Sequence, residues 1–308
     1  MKNILVILAI LGLSACGQKD AEQSEAVAVA NADEAAVKTV EEAVSATEVS
    51  PLDAILAAQS EETQARYVWR HPKETLEFFD VQAGQVVLEV LPGPVWYSRM
   101  LLPLLGSEGR LIGVDYEFGH WKHFDFATEK FLERRANWGA DWLSKIEDAG
   151  FEDVATAEAY TFATLPEELS ASVDRVLFFR ALHNMARFNA EGAYLDRAIA
   201  ETARVLKPGG LVGVVQHRAA EEKTDDWADG SRGYLKASFL KQAFADAGLE
   251  FVREAEINAN PADVPGDDDI VWRLPPSFYT SAEDDPKRAE YQAIGESDRM
   301  TLVFRKPE

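Results

Sequence analysis

With 308 residues, 47% of them hydrophobic and 10% aromatic, the chain can bury a sizeable core, which excludes a wholly disordered protein. Its formal net charge of −22 repels nucleic acid and anionic membrane surfaces, so no nucleic-acid partner is expected.

The first residues read as an export signal. Lys2 and the amino terminus precede an apolar run over 4–13, too short to span a bilayer but of signal-peptide length. Leu13, Ser14, Ala15 and Cys16 resemble a bacterial lipobox, in which the cysteine is lipidated and becomes the mature first residue. Residues 1–15 are therefore expected to be a lipoprotein signal peptide, with Cys16 the lipidation site. The alternative is an ordinary signal peptide with an incidental cysteine. Cys16 is the only cysteine, so no intrachain disulfide can form. Gly17 in place of an aspartate points to the outer membrane, facing the periplasm, with the lipid anchor as the sole membrane contact. Residues 16–50 are rich in Ala, Glu and Val and lack aromatics, the composition of an acidic, extended tether.

Ordered structure is expected over 51–308. Ser50 and Pro51 suit an N-cap and first helical residue, ahead of Leu52, Ile55 and Leu56. Tyr67 to Trp69 suggest a second helix, and Pro72 opens a third carrying Leu76, Phe78 and Phe79. Strands are predicted over 86–90, 110–114, 154–158, 174–179, 211–216, 250–254 and 300–305. Helices are predicted over 97–105, 128–138, 142–149, 191–206 and 235–247. This alternation predicts an α/β fold: a Rossmann-like, doubly wound, mostly parallel seven-stranded sheet with helices on both faces, preceded by N-terminal helices. Residues 219–233 and 258–297 fall outside the rhythm and read as loops or lids.

Three motifs carry chemistry. The first strand ends at Glu89 and Val90, and Leu91, Pro92, Gly93 and Pro94 turn the chain towards a helix. Gly93 would let backbone approach a ligand closely; Pro94 removes one donor and Val95 adds bulk. A second strand ends in Asp115, 22 residues after Gly93, a spacing at which a carboxylate can bind a ribose diol. The third motif is Leu206, Lys207, Pro208, Gly209 and Gly210, a helix end and turn ahead of a buried strand.

Together these resemble the class I S-adenosylmethionine-dependent methyltransferases, with Glu-x-Gly-x-Gly after strand one, an acid after strand two and Leu-Lys-Pro-Gly-Gly before strand five. Residues 72–79, 89–97, 180–184, 217–218 and 302–307 resemble more closely a bacterial branch often predicted to be exported. The resemblance implies S-adenosylmethionine as cofactor, with Glu89 and Gly93 in the cofactor loop and Asp115 on the ribose. Glu158, ending the third strand, would lie near the adenine amine. Leu91, Pro94 and Val95 depart from the family's glycines.

Trp96 would wall the cofactor pocket. His183 and His217, after the fourth and fifth strands, are candidates for general base or substrate orienter. Arg180 and Arg218 could bind a substrate carboxylate or phosphate. No metal is expected: His120 and His123 are separated by Lys122 and lack a full ligand set. The function expected is a lipid-anchored methyltransferase acting on a small molecule or cell-envelope component. The alternative is a non-catalytic binding lipoprotein that keeps the fold with a degenerate cofactor loop.

Overall fold

The computed structural model describes residues 50–151 and 154–308. The expectations for the signal peptide, Cys16 and the acidic tether fall outside these residues. One sheet contains β1 (Val86–Val90), β2 (Arg110–Asp115), β3 (Thr156–Thr161), β4 (Val173–Phe179), β5 (Leu206–His217), β6 (Glu250–Ala255) and β7 (Arg299–Arg305). Their order across the sheet is β3-β2-β1-β4-β5-β7-β6. β1 to β5 pair in parallel, whereas β7 runs antiparallel to both β5 and β6. This is the Rossmann-like, mostly parallel seven-stranded sheet that the sequence predicts, with one antiparallel strand inserted between β5 and β6.

The central strands are apolar on both sides because successive side chains enter opposite cores. Leu88, Ile112, Val176 and Val214 pack with the helices Tyr194–Val205 and Ala237–Asp246. Val87, Leu111, Leu177 and Val215 pack on the other face, with Ser98–Leu105, Trp138–Asp148 and the N-terminal helices. Two glycines make this close layering possible. A Cβ at Gly213 would meet the Phe79 ring at 2.5 Å, and one at Gly113 would meet Trp142 at 2.9 Å.

Besides small shifts at helix ends, three elements differ from the sequence reading. β3 runs on to Thr161, because its side chains are only half-buried and its apolar signal is weak. The Pro-Gly-Gly turn is absorbed into β5, which starts at Leu206 and shifts register against β4 between Val173 and Arg175. The helix Pro286–Ile294 lies inside a segment read as irregular; it buries no residue, so no apolar stripe marks it.

The segment before that helix is held down by a buried network. Asp263 pairs with Arg273 at 2.6 Å and accepts from the Tyr234 hydroxyl at 3.1 Å. Asn258 donates to the hydroxyls of Thr75 and Thr301. These ties fix residues 271–277 over the carboxyl ends of β4 and β5.

Candidate active site

The turn after β1 has an alternating left-handed backbone. Leu91, Gly93 and Val95 lie at φ +53°, +55° and +58°. Every second residue thus takes a left-handed shape natural only to glycine, at a cost of order 1–3 kcal/mol for each non-glycine. Beneath the turn, Glu89 is 2% exposed and accepts a 2.7 Å hydrogen bond from Ser98 Oγ. Burial pushes its carboxyl up to about 8, so it is largely protonated at neutral pH. Glu89 lines neither cavity described below; it fastens β1 to the start of the helix Ser98–Leu105.

On the β2 side of the turn is a cavity of about 180 Å³, lined by Leu91, Gly93, Asp115, Arg135, Trp138 and Lys145 among others. Asp115 is 1% exposed. Its Oδ2 accepts from Trp121 Nε1 at 3.1 Å and pairs with Arg135, whose guanidinium also lies 4.1 Å from the Trp121 ring centre. Its Oδ1 is buried with no hydrogen-bond partner among the described residues. Burial raises the Asp115 carboxyl above its ordinary value, with Arg135 opposing.

Besides Glu89, two more expected cofactor residues lie outside both cavities. Glu158 is in the middle of β3, paired with Ile112 rather than level with Asp115. That leaves it three residues, roughly 10 Å, short of the strand end. It instead accepts from Arg110 Nε at 3.0 Å and from the Tyr160 hydroxyl at 3.0 Å. Trp96 turns away from both cavities and packs against Tyr67, Tyr97 and the Arg70 guanidinium.

On the β4 side, a larger cavity of about 350 Å³ is lined by Gly93, Arg180, His183, His217, Trp272 and Glu296 among others. The histidine rings lie 5.4 Å apart. Gln216 Nε2 donates to Gly233 O at 3.1 Å, and its amide sits 3.3–3.4 Å from His183 Nδ1. Ser297 Oγ is 2.6 Å from His217 Nδ1. With Nδ1 of each ring held, Nε2 is left for a ligand. Burial lowers the His183 pKa to about 4 and the His217 pKa well below its ordinary value, so both rings are neutral at pH 7.

Arg180 also sits at a left-handed backbone position, φ +59°. Its guanidinium makes no hydrogen bond among the described residues, and its nearest acid is Glu296 at 3.8 Å. Arg218 is different: it pairs with Glu256 and Asp298, each at 2.8 Å, and does not line the cavity. Of the four residues expected to handle substrate, three therefore share one cavity and Arg218 does not.

Glu296 was not anticipated. Arg66, Arg70 and Arg299 all pair with it, and Arg70, Arg299 and Glu296 are 4%, 2% and 4% exposed. Burial pushes the Glu296 carboxyl up, but Arg299, Arg70, Arg180 and Arg66 outweigh it and hold it below its ordinary value. The available signal was Glu296, Ser297, Asp298 and Arg299 immediately before the apolar β7. Because β7 is antiparallel, this charged start lands at the carboxyl edge of the parallel strands, beside His217.

His120 and His123 diverge, the first meeting the Asn184 carbonyl at 3.1 Å and the second the Tyr194 hydroxyl at 3.0 Å. Among the described residues, no three His, Cys, Asp or Glu side chains form a metal-holding group.

No family model matches this chain, and no curated protein matches it in sequence. Solved structures match its fold. The [4+2]-cyclase SpnF is 18% identical with a TM-score of 0.50, covering 77% of this chain and 80% of its own. An S-adenosylmethionine-dependent methyltransferase from Aquifex aeolicus is 17% identical with a TM-score of 0.42, covering 67% of this chain and 93% of its own. An arsenic(III) S-adenosylmethionine methyltransferase from Chlamydomonas reinhardtii is 13% identical with a TM-score of 0.42, covering 84% and 74%. At 18% identity the likeness to SpnF bears on the fold alone.

Proposed function

We propose that this protein is an S-adenosylmethionine-dependent methyltransferase, anchored by lipid on Cys16 at the periplasmic face of the outer membrane, acting on a small molecule or envelope component. The observation that carries the reading is Asp115. A buried carboxylate oxygen without a partner, at the end of β2 and beside a turn with three left-handed positions, fits a ribose hydroxyl. When bound, the cofactor would supply a methyl group on a sulfonium. Asp115 Oδ1 would accept from the ribose, and the backbone at Gly93, which borders both cavities, would hold the chain joining them. His183 and His217 would align the acceptor and take its proton at Nε2. Trp272 and Pro275 would cover the cavity and limit water.

A second reading, a non-catalytic binding lipoprotein, draws on Arg135. Its guanidinium already satisfies Asp115 Oδ2, and the Leu91 side chain lines both cavities where a glycine would leave room, whereas Val95 packs into the core and adds no bulk to either. Calorimetric titration of the full-length protein with S-adenosylmethionine and S-adenosylhomocysteine separates the two. Micromolar binding weakened at least about tenfold in Asp115→Asn is the expected result, corresponding to one hydrogen bond to a charged group. No heat from either ligand at millimolar concentration would leave the binding lipoprotein as the surviving reading.

A further inference from the structure

We propose that the cavity at the ends of β4 and β5 binds an oxyanion, a carboxylate or phosphate group, on the guanidinium of Arg180. That this group belongs to the methyl acceptor rests on the function proposed above; that the cavity binds it does not.

Arg66, Arg70, Arg180 and Arg299 surround Glu296, so four guanidiniums face one carboxylate; Arg70, Arg299 and Glu296 are buried, and Arg66 and Arg180 are partly exposed. In a chain with a net charge of −22, such a local excess of cations is not a by-product of composition. Three of the four make hydrogen bonds to Glu296, while Arg180 makes none among the described residues. It is the one of the four that lines the cavity. Burial and, to a smaller degree, Arg66 work against its charge, and Glu296 at 3.8 Å offsets them only in part.

A guanidinium in that position turns an unpaired set of donors, in a fixed fork, towards the cavity, matched to two oxygens of a carboxylate or phosphate. Holding Arg180 at φ +59° adds backbone strain, which native structures keep where the surrounding fold requires the side chain to point one way. The rest of the lining agrees. His183 and His217 are neutral, so neither supplies a counter-charge for Arg180 nor repels an anion. The covering residues Val271, Trp272, Leu274, Pro275 and Pro276 are apolar, so an anion would meet Arg180 with little competing water. At about 350 Å³ the cavity suits a small acid or the anionic end of a larger molecule.

The test needs no cofactor, so it fails or succeeds separately from the methyltransferase reading. Full-length protein is melted in increasing inorganic phosphate and, in a second arm, acetate, each at an ionic strength matched with chloride. Wild type should gain melting temperature saturably with at least one anion. The stronger arm identifies the group as a phosphate ester or a carboxylate. Arg180→Gln should shift half-saturation upward by roughly 10- to 100-fold, the loss of hydrogen bonds from a charged donor. Arg305→Gln, on an exposed pair with Glu250 at the sheet edge, should respond as wild type. Without anion, Arg180→Gln should melt no lower than wild type, because it removes a cation from an overcharged cluster. Should it nevertheless fail to fold, Arg180→Lys keeps the charge but not the fork, and should still weaken the response severalfold. An equal response in wild type and the Arg180 variants, or no saturable response to either anion, overturns the proposal.

Discussion

The two cavities on either side of the Leu91–Val95 turn share one sheet edge but handle buried charge in opposite ways. Beside β2, Asp115 has one cation, Arg135, and one indole N–H, so its charge is balanced locally. Beside β4 and β5, four guanidiniums share Glu296. The first arrangement needs only a neutral hydroxyl to complete Asp115 Oδ1; the second is completed by an anion. A fold that usually joins such places into one binding cleft has here given each its own electrostatic demand.

The strongest way to break this comparison is to remove the shared counter-ion. Glu296→Gln keeps the shape of the side chain but leaves Arg66, Arg70, Arg180 and Arg299 without a carboxylate. Removing one partner from a buried pair costs about 3–5 kcal/mol. Urea unfolding at neutral pH should show a loss of that order. A loss below about 1 kcal/mol would mean that the cluster is solvated and not overcharged, and the contrast between the two cavities would disappear.

Much of the fold could be read from the sequence because the strands are short apolar runs between helical patterns. Asp115, Gly93, His183 and His217 could be placed at the correct edge because each follows a strand with a strong signal. The sequence could not reveal which atoms were already paired. Arg218 looked like Arg180, each following a strand, yet Asp298, 80 residues later, claims Arg218. Arg135, from a helix with no buried residues, reaches Asp115 across 20 residues. Glu296 was hidden because the antiparallel insertion of β7 is a property of topology and leaves no local pattern.

Glu89 supplies an intermediate test, located under the turn that divides the cavities. Its folded pKa of about 8 exceeds the ordinary 4.5. Between those values the folded protein keeps a proton that the unfolded chain has released. Stability from this group is therefore full below pH 4.5 and declines as pH rises to about 8. Glu89→Gln cannot lose that proton and its amide oxygen can still accept from Ser98. The variant should match wild type at low pH and exceed it by about 3–5 kcal/mol at pH 9. His183 and His217 titrate in both proteins and cancel from the difference. A difference that does not change with pH would show that Glu89 is ionised in the folded state, and the turn would then carry a negative charge between the cavities.

The smallest effect sharpens the contrast within one residue type. Arg218 has two acidic partners at 2.8 Å, more hydrogen bonds than Arg180, and by contact number would rank as the more important side chain. Its side chain is 28% exposed and Glu256 is 67% exposed, so solvent screens part of the attraction and can replace it when the arginine is lost. Arg218→Gln should therefore change unfolding free energy by no more than about 1 kcal/mol and leave the phosphate response unaltered. Arg180→Gln should do the reverse, with little stability change and a large loss of anion response. If Arg218→Gln instead abolished the response, the anion would be drawn by the general field of the sheet edge and not by one unsatisfied guanidinium. What assigns Arg180 to ligand is thus the hydrogen bonds it does not make: its side chain is as exposed as that of Arg218, 28%, but its guanidinium opens into the cavity with no carboxylate closer than Glu296 at 3.8 Å.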